Sequence, residues 1–219
     1  MIATRIMHFS HDFELGKAEW GYHDDFISEE EEASLLEHFS ELDFVRGDYL
    51  GRDIMRSQKW YQDDGEYFNH KWPVFDRWKS CGYTPIIRKF QDRISKRFPD
   101  ASINSTLINC YQGDDIIPPH RDSEDVFGDN PTIVVVSLGA TRTMRFSRVS
   151  PCSRSLKVIG KTYDIVLKPR SLFVMSGTTQ KYFCHEILAP ETKETTRYSM
   201  TFRHHTGSSG KTSKAGSRA

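Results

Sequence analysis

The stretch PTIVVVSLGATRTMRFSR, residues 131–148, holds two short runs of β-branched and aromatic residues parted by a turn at Gly139-Ala140. Runs of this kind, bounded by turn residues, read as strands because branched and aromatic side chains pack well on a pleated surface. The same texture recurs on either side of it. SINSTLINCY (102–111) precedes it, and KTYDIVL (161–167), SLFVMS (171–176), KYFCHEI (181–187) and TTRYSMTFR (195–203) follow. Seven short strands without intervening helices predict an antiparallel barrel or sandwich of the jelly-roll kind.

The N-terminal half has a different period. FISEEEEASLLEHF opens with a capping box, Ser28 and Glu31, and predicts a helix over about 29–41 with its acids at the positive end of the dipole. TPIIRKFQDRISKRF places Ile86, Ile87, Phe90, Ile94 and Phe98 at helical spacing, with basic residues on the remaining faces. Residues 44–78 mix aromatics with charges and turn residues and read as short strands and loops. The chain is therefore read as α+β with a mainly β core, one domain over 1–205. Residues 22–100 form an N-terminal extension and lid, 101–205 the core, and the Gly/Ser/Lys-rich 206–219 a disordered tail.

Composition narrows the class. At 37% hydrophobic and 12% aromatic the chain can bury a core, yet no window nears the roughly 18 apolar residues of a membrane helix. The N-terminus lacks a signal-peptide core. Cys81, Cys110, Cys152 and Cys184 show no CxxC spacing and read as reduced thiols of an intracellular protein, cytoplasmic or nuclear. The zero net charge hides a division: residues 1–50 carry 13 acids and 3 bases, residues 51–219 carry 17 acids and 27 bases. Either the basic body meets a polyanion, or the two parts neutralise each other across a folded contact.

YQGDDIIPPHRDSEDVFGD, residues 111–129, carries the chemistry. Residues i and i+2 of a strand point the same way, so His120 and Asp122 can face one point. A third ligand from a distant strand would complete a facial set of two imidazoles and one carboxylate, which suits Fe(II) and leaves positions open for oxygen and a co-substrate. His185, in KYFCHEI, is the candidate. Taken alone, the His120–Asp122 pair reads first as a solvated charge pair on a surface loop, and His185 alternatively as a half-buried, hydrogen-bonded histidine. In RYSMTFR, Arg197 and Arg203 share a face with Ser199 and Thr201, while Tyr198, Met200 and Phe202 face the core. Two arginines beside a metal want an anion. Their Cα atoms lie roughly 20 Å apart on a straight strand, and the gap between the guanidinium groups suits a five-carbon dicarboxylate.

Taken together, Asn109-x-Tyr111, His120-x-Asp122-x-Glu124, the SLG at 137–139, His185 and Arg197-x5-Arg203 resemble the AlkB family, Fe(II)- and 2-oxoglutarate-dependent dioxygenases that dealkylate nucleic-acid bases. The resemblance is firm over about 100–204. It implies a double-stranded β-helix with a nucleotide-recognition lid. It also implies iron held by His120, Asp122 and His185, and 2-oxoglutarate held by Asn109, Tyr111, Arg197 and Arg203. Ser199 replaces the family's usual Asn and should support the co-substrate more weakly. Glu124 matches an acid that contacts the target base, and Arg56, Trp60, Tyr61 and Tyr67 are the lid's candidates for clamping and stacking the nucleotide.

The expected activity is oxidative demethylation of bases such as N1-methyladenine and N3-methylcytosine in DNA or RNA, with release of formaldehyde and consumption of O2. The segments RKFQDRISKR and TRTMRFSR would bind the phosphate backbone. The chain is expected to act as a monomer with no obligate protein partner and no membrane contact. Two competing readings are a 2-oxoglutarate oxygenase acting on a non-lesion RNA mark, a protein or a small molecule, and a nucleic-acid binder with a decayed site. No P-loop, GxGxxG, GxSxG or HExxH is present.

Overall fold

The computed structural model describes residues 6–49, 52–63, 80–151, 155–190 and 196–206. The chain opens with a hairpin, β1 (Ile6–Phe13) and β2 (Gly16–His23), and then α1 (Glu29–Ser40). Short strands β3 (Asp48–Tyr49) and β4 (Arg52–Asp53) lead to β5 (Ser57–Gln62), and α2 (Pro85–Arg97) follows. The core strands are β6 (Ser105–Gln112), β7 (Ile117–His120), β8 (Ile133–Gly139), β9 (Arg142–Val149), β10 (Val158–Leu167), β11 (Leu172–Gly177), β12 (Phe183–Ile187) and β13 (Thr196–Arg203). The single turns α3 (Glu124–Phe127) and α4 (Thr179–Tyr182) sit between them.

All seven strands read from the sequence are present, paired antiparallel in two facing sheets. A seven-stranded sheet runs β1-β2-β11-β8-β13-β6-β5, and a four-stranded sheet runs β10-β9-β12-β7. This is the jelly roll that the turn spacing predicted. The short β7, Ile-Pro-Pro-His, carries two prolines that cannot donate to a ladder, and it lies where that is harmless, at a sheet edge.

Alternation along the central strands splits the apolar residues into two cores. Ile133, Val135, Met144, Phe146, Phe173 and Met175 fill the space between the sheets. Val134, Val136, Leu138, Met200 and Phe202 face the opposite way and pack under Leu35 and Phe39 of α1 and Ile87, Phe90 and Ile94 of α2. The capping box forms as read, with the Ser28 side chain accepting from the Glu31 amide and Glu31 accepting from the Ser28 amide.

The hairpin β1–β2 was not anticipated. β2 pairs with β11 along its length, so the acidic N-terminal segment is an integral part of the large sheet. Its charges are met by the body. Glu31 pairs with Arg93 at 3.0 Å and Lys89 at 3.6 Å, Asp24 with Lys168 at 3.3 Å, and Arg170 bridges Asp25 and Glu29 at 3.0 and 2.6 Å. Neutralisation across a folded contact therefore accounts for much of the charge division.

Candidate metal and co-substrate site

His120 and His185 sit directly opposite each other where β7 pairs with β12, with ring centroids 4.3 Å apart. Asp122 follows two residues after His120, just beyond the end of β7, and its backbone N–H donates to Gln180 Oε1 at 2.9 Å. One ligand atom from each of the three residues lies within 4.8 Å of the others. His120 Nδ1 lies 3.0 Å from the Pro118 carbonyl. A carbonyl only accepts, so Nδ1 carries the proton and the Nε2 lone pair stays available. His185 stacks on Phe146 on its other side, at 5.4 Å and 20°.

The electrostatics favour ligand forms. Burial drives the His185 imidazole down to about 3 and pulls His120 down as well, so both are neutral near pH 7. Burial pushes the Asp122 carboxyl up, but the cations around it, Arg203 first, bring it below the ordinary carboxylate range. Two neutral imidazoles and one carboxylate at mutual ligating distance fit Fe(II) with positions left open.

The three residues open into a cavity of about 680 Å³ between the sheets. Arg197, Ser199, Thr201 and Arg203 line it from one face of β13, as the parity of RYSMTFR required. Arg203 Nη1 lies 3.0 Å from Asp122 Oδ1, at the metal end. Arg197 is 1% exposed, at the deep end; it donates to Ser137 Oγ at 3.0 Å and lies over the Tyr111 ring at 4.9 Å. Arg197 Nε and Nη1 and Arg203 Nε are buried without a hydrogen-bond partner. Buried guanidinium N–H groups left unmet are costly, and a ligand carrying a carboxylate at each end would satisfy both arginines. Asn109 ties the floor together. Its Oδ1 accepts from Arg56 Nε at 2.9 Å and Gln58 Nε2 at 2.8 Å, and its amide donates to Ser199 Oγ at 3.4 Å. Ser199 thus keeps a bond in place of the family's usual Asn, though a long one.

The lid candidates divide. Arg56 and Trp60 line the cavity, and Trp60 packs with Leu107, Val126 and Phe127. Tyr61 does not: successive residues of β5 face opposite ways, and its ring is 2% exposed in the outer core, stacked on Tyr83. Its assignment to nucleotide stacking is corrected on that ground. Tyr67 lies outside the described residues. Glu124 is a second correction, because it is not part of the cavity wall. Its carboxylate accepts from the Asn130 backbone N–H at 3.1 Å and lies 3.6 Å from Lys181 Nζ, so α3 holds the acid in a surface ion pair.

The basic segments expected to bind phosphate are also placed elsewhere. α2 packs on the outer face of the large sheet, and Arg88 and Arg93 pair with Asp63 and Glu31. On β9, Arg142 is buried, Arg145 pairs with Asp164 at 2.7 Å and Arg148 lies over Phe13. Lys59 and Arg121, which sequence reasoning missed, line the cavity instead. Gln58 and Gln180, the supports of Asn109 and Asp122, were also missed; nothing in their local sequence marks them.

A double-stranded β-helix with a His-Asp-His cluster facing buried arginines defines the class of non-haem iron, 2-oxoglutarate-dependent oxygenases. A family model described as the 2OG-Fe(II) oxygenase superfamily matches residues 20–203, and the chain belongs to that superfamily. Its co-substrates are accordingly 2-oxoglutarate and O2, with Fe(II) as the metal. Its curated relatives put it with the AlkB proteins. The Arabidopsis thaliana "DNA oxidative demethylase ALKBH2" is 30% identical over 150 residues, 59% of this chain and 48% of that protein. The Homo sapiens "Alpha-ketoglutarate-dependent dioxygenase alkB homolog 3" is 29% identical over 180 residues, 74% of this chain and 63% of that protein. The chain thus spans about half to just under two thirds of these relatives. Among solved structures, OsALKBH1 superposes with a TM-score of 0.62 at 14% identity, covering 90% of this chain and all of that one. The 2-oxoglutarate-dependent epimerase SnoN gives 0.57 at 10% identity, covering 84% and 78%. Those identities speak for the fold alone. Among the described residues no helix is long and apolar enough to cross a membrane.

Proposed function

We propose that the chain is a nucleic-acid demethylase that oxidises N-methyl groups on bases such as N1-methyladenine and N3-methylcytosine. The observation that carries the reading is the single cavity in which His120, Asp122 and His185 face Arg203 and the deep Arg197. In this reading the two histidines and Asp122 hold Fe(II), which supplies oxygen activation when bound. Arg197 and Tyr111 hold the distal carboxylate of 2-oxoglutarate. Arg203, Asn109 and Ser199 hold the end next to the metal. The relatives named as DNA demethylase and as alkB homolog 3 support nucleic acid as the substrate class.

The residues of this chain orient the partners. Arg203 neutralises Asp122 and keeps it an anion, and the His120 Nδ1–H bond to Pro118 fixes that ring. The apolar walls given by Ile133, Val135, Met144, Met175 and Ile187 exclude water. Arg56, Lys59 and Trp60, which line the cavity, are the groups available to meet a phosphate and an extruded base.

Formaldehyde release, with product mass, from DNA and RNA oligonucleotides carrying N1-methyladenine tests the reading. Single and double strands are compared in the presence of Fe(II) and 2-oxoglutarate. Repair that vanishes in His120→Ala is the expected result. Succinate formed without any repair would keep the oxygenase and remove the substrate.

A further inference from the structure

A column of aromatic rings runs from the metal cluster to the protein surface. His185 stacks on Phe146 at 5.4 Å and 20°, and Phe146 stacks on Trp20 at 5.2 Å and 19°. Tyr163 meets Trp20 edge-on at 5.3 Å, and Phe9 lies flat on Trp20 at 3.6 Å and 9°. Phe146 is fully buried and Trp20 is 6% exposed, whereas Tyr163, on the edge strand β10, is only partly covered. The hairpin β1–β2 brings Trp20 into this column, and nothing in the proposed binding of iron, 2-oxoglutarate or base uses it.

We infer that Trp20 and Tyr163 form an electron path that carries reducing equivalents from solvent to the iron site when O2 and 2-oxoglutarate are consumed without a substrate. The inference rests on the oxygenase reading. In a coupled turnover, one oxygen atom enters succinate and the other is taken up by the substrate C–H bond. Without substrate the second atom must be reduced, so that 2-oxoglutarate, O2, two electrons and two protons give succinate, CO2 and water. Indole and phenol are the two readily oxidised side chains in the column, and Phe146 separates the indole from the metal-side imidazole by a single ring. Trp20 gives up an electron toward the site, and Tyr163 refills Trp20 while its phenol proton leaves to water. A one-electron reductant of the ascorbate class then restores Tyr163 at the surface. Two such passages complete the balance. Without the path, the oxidising equivalents fall on side chains of the cavity wall, Met144, Met175 and Trp60 among them.

The experiment uses the full chain with Fe(II), 2-oxoglutarate, O2 and ascorbate and no nucleic acid, comparing wild type, Trp20→Phe and Tyr163→Phe. Phenylalanine keeps the packing and removes the redox chemistry, and the partly exposed Tyr163→Phe stands even if Trp20→Phe folds poorly. The number of succinates formed before inactivation should fall several-fold in both variants. Peptide mass spectrometry should show oxygen added to cavity-wall residues sooner. Freeze-quenched wild type should show a tyrosyl radical by electron paramagnetic resonance that Tyr163→Phe lacks. Equal turnover numbers and the same oxidised peptides in all three proteins would overturn the path. Absence of succinate from the wild type would instead overturn the oxygenase reading on which it rests.

Discussion

Trp60 and Tyr61 are adjacent, aromatic and equally buried, yet only Trp60 meets the cavity. Strand alternation decides which of two neighbours serves the site, and a one-residue change of register would exchange them. The same rule puts Arg197 and Arg203 in the cavity and Tyr198 and Met200 in the outer core. Arg197 is the most consequential of these side chains because it is fully buried with two N–H groups unmet. Arg197→Met is expected to remove about 3 kcal/mol of co-substrate binding, roughly a hundredfold, because it truncates a buried charge partner. The loss should appear in KM for 2-oxoglutarate, with kcat at saturation changed far less. Glu124 gives a second test at this scale. Paired with Lys181 outside the cavity, it should not select for cationic lesions, so Glu124→Ala is expected to change activity on cationic and neutral lesions by the same factor. A selective loss on N1-methyladenine would mean that α3 rearranges to bring the acid to the base.

At the scale of elements, the hairpin β1–β2 and strand β11 depend on one tight approach. Gly177 ends β11 at φ +59°, and a Cβ there would overlap the Lys17 carbonyl oxygen. Gly177→Ala is expected to cost about 1–3 kcal/mol and to lower Tm by several degrees in thermal unfolding. Gly139 is a similar case, with φ +73° and Thr196 O 2.6 Å from the position of a Cβ. The SLG motif thus has a backbone reason: β8 must turn where β13 enters. α2 is the element whose role changed most between sequence and structure. Its apolar stripe was legible and its basic face looked like a phosphate-binding surface, but packing on the outer sheet directs that face away from the cavity. Lys89→Glu combined with Lys96→Glu is therefore expected to leave oligonucleotide affinity within about twofold by fluorescence anisotropy, since a screened surface charge acts over only about 10 Å. Lys59→Glu, in the cavity wall, should weaken it.

At the scale of the whole molecule, acid should unfold the metal-free protein through its own site. His185 has a folded-state value of about 3 against roughly 6.5 in an unfolded chain. Below pH ~6.5 the unfolded chain binds a proton that the folded chain refuses, so stability falls as pH drops. Asp122, held below its ordinary value, adds a stabilisation that is lost as pH falls through its folded-state pKa. Both act in the same direction. Urea unfolding of metal-free protein between pH 6 and pH 4 should show a loss of up to about 1.4 kcal/mol per pH unit from His185 alone, and His185→Phe should flatten that slope.

The sequence by itself determined seven strands of the core, the two long helices and the chemical identity of the site. Strand texture and capping are local, and the types His, Asp, His, Arg and Arg carry their chemistry wherever the chain places them. Tertiary structure alone decided which of those residues meet, because His120 and His185 become neighbours only through the pairing of β7 with β12, 65 positions apart in the chain. It also decided what the charges do. Net charge is a sum over the sequence, whereas an ion pair is a matter of distance, and the fold uses Glu31, Asp24, Asp25 and Glu29 to neutralise Arg93, Lys168 and Arg170. The hairpin β1–β2 stayed hidden for the same reason: its partner β11 lies some 150 residues away, and no local pattern in an acidic segment reveals that it completes a sheet.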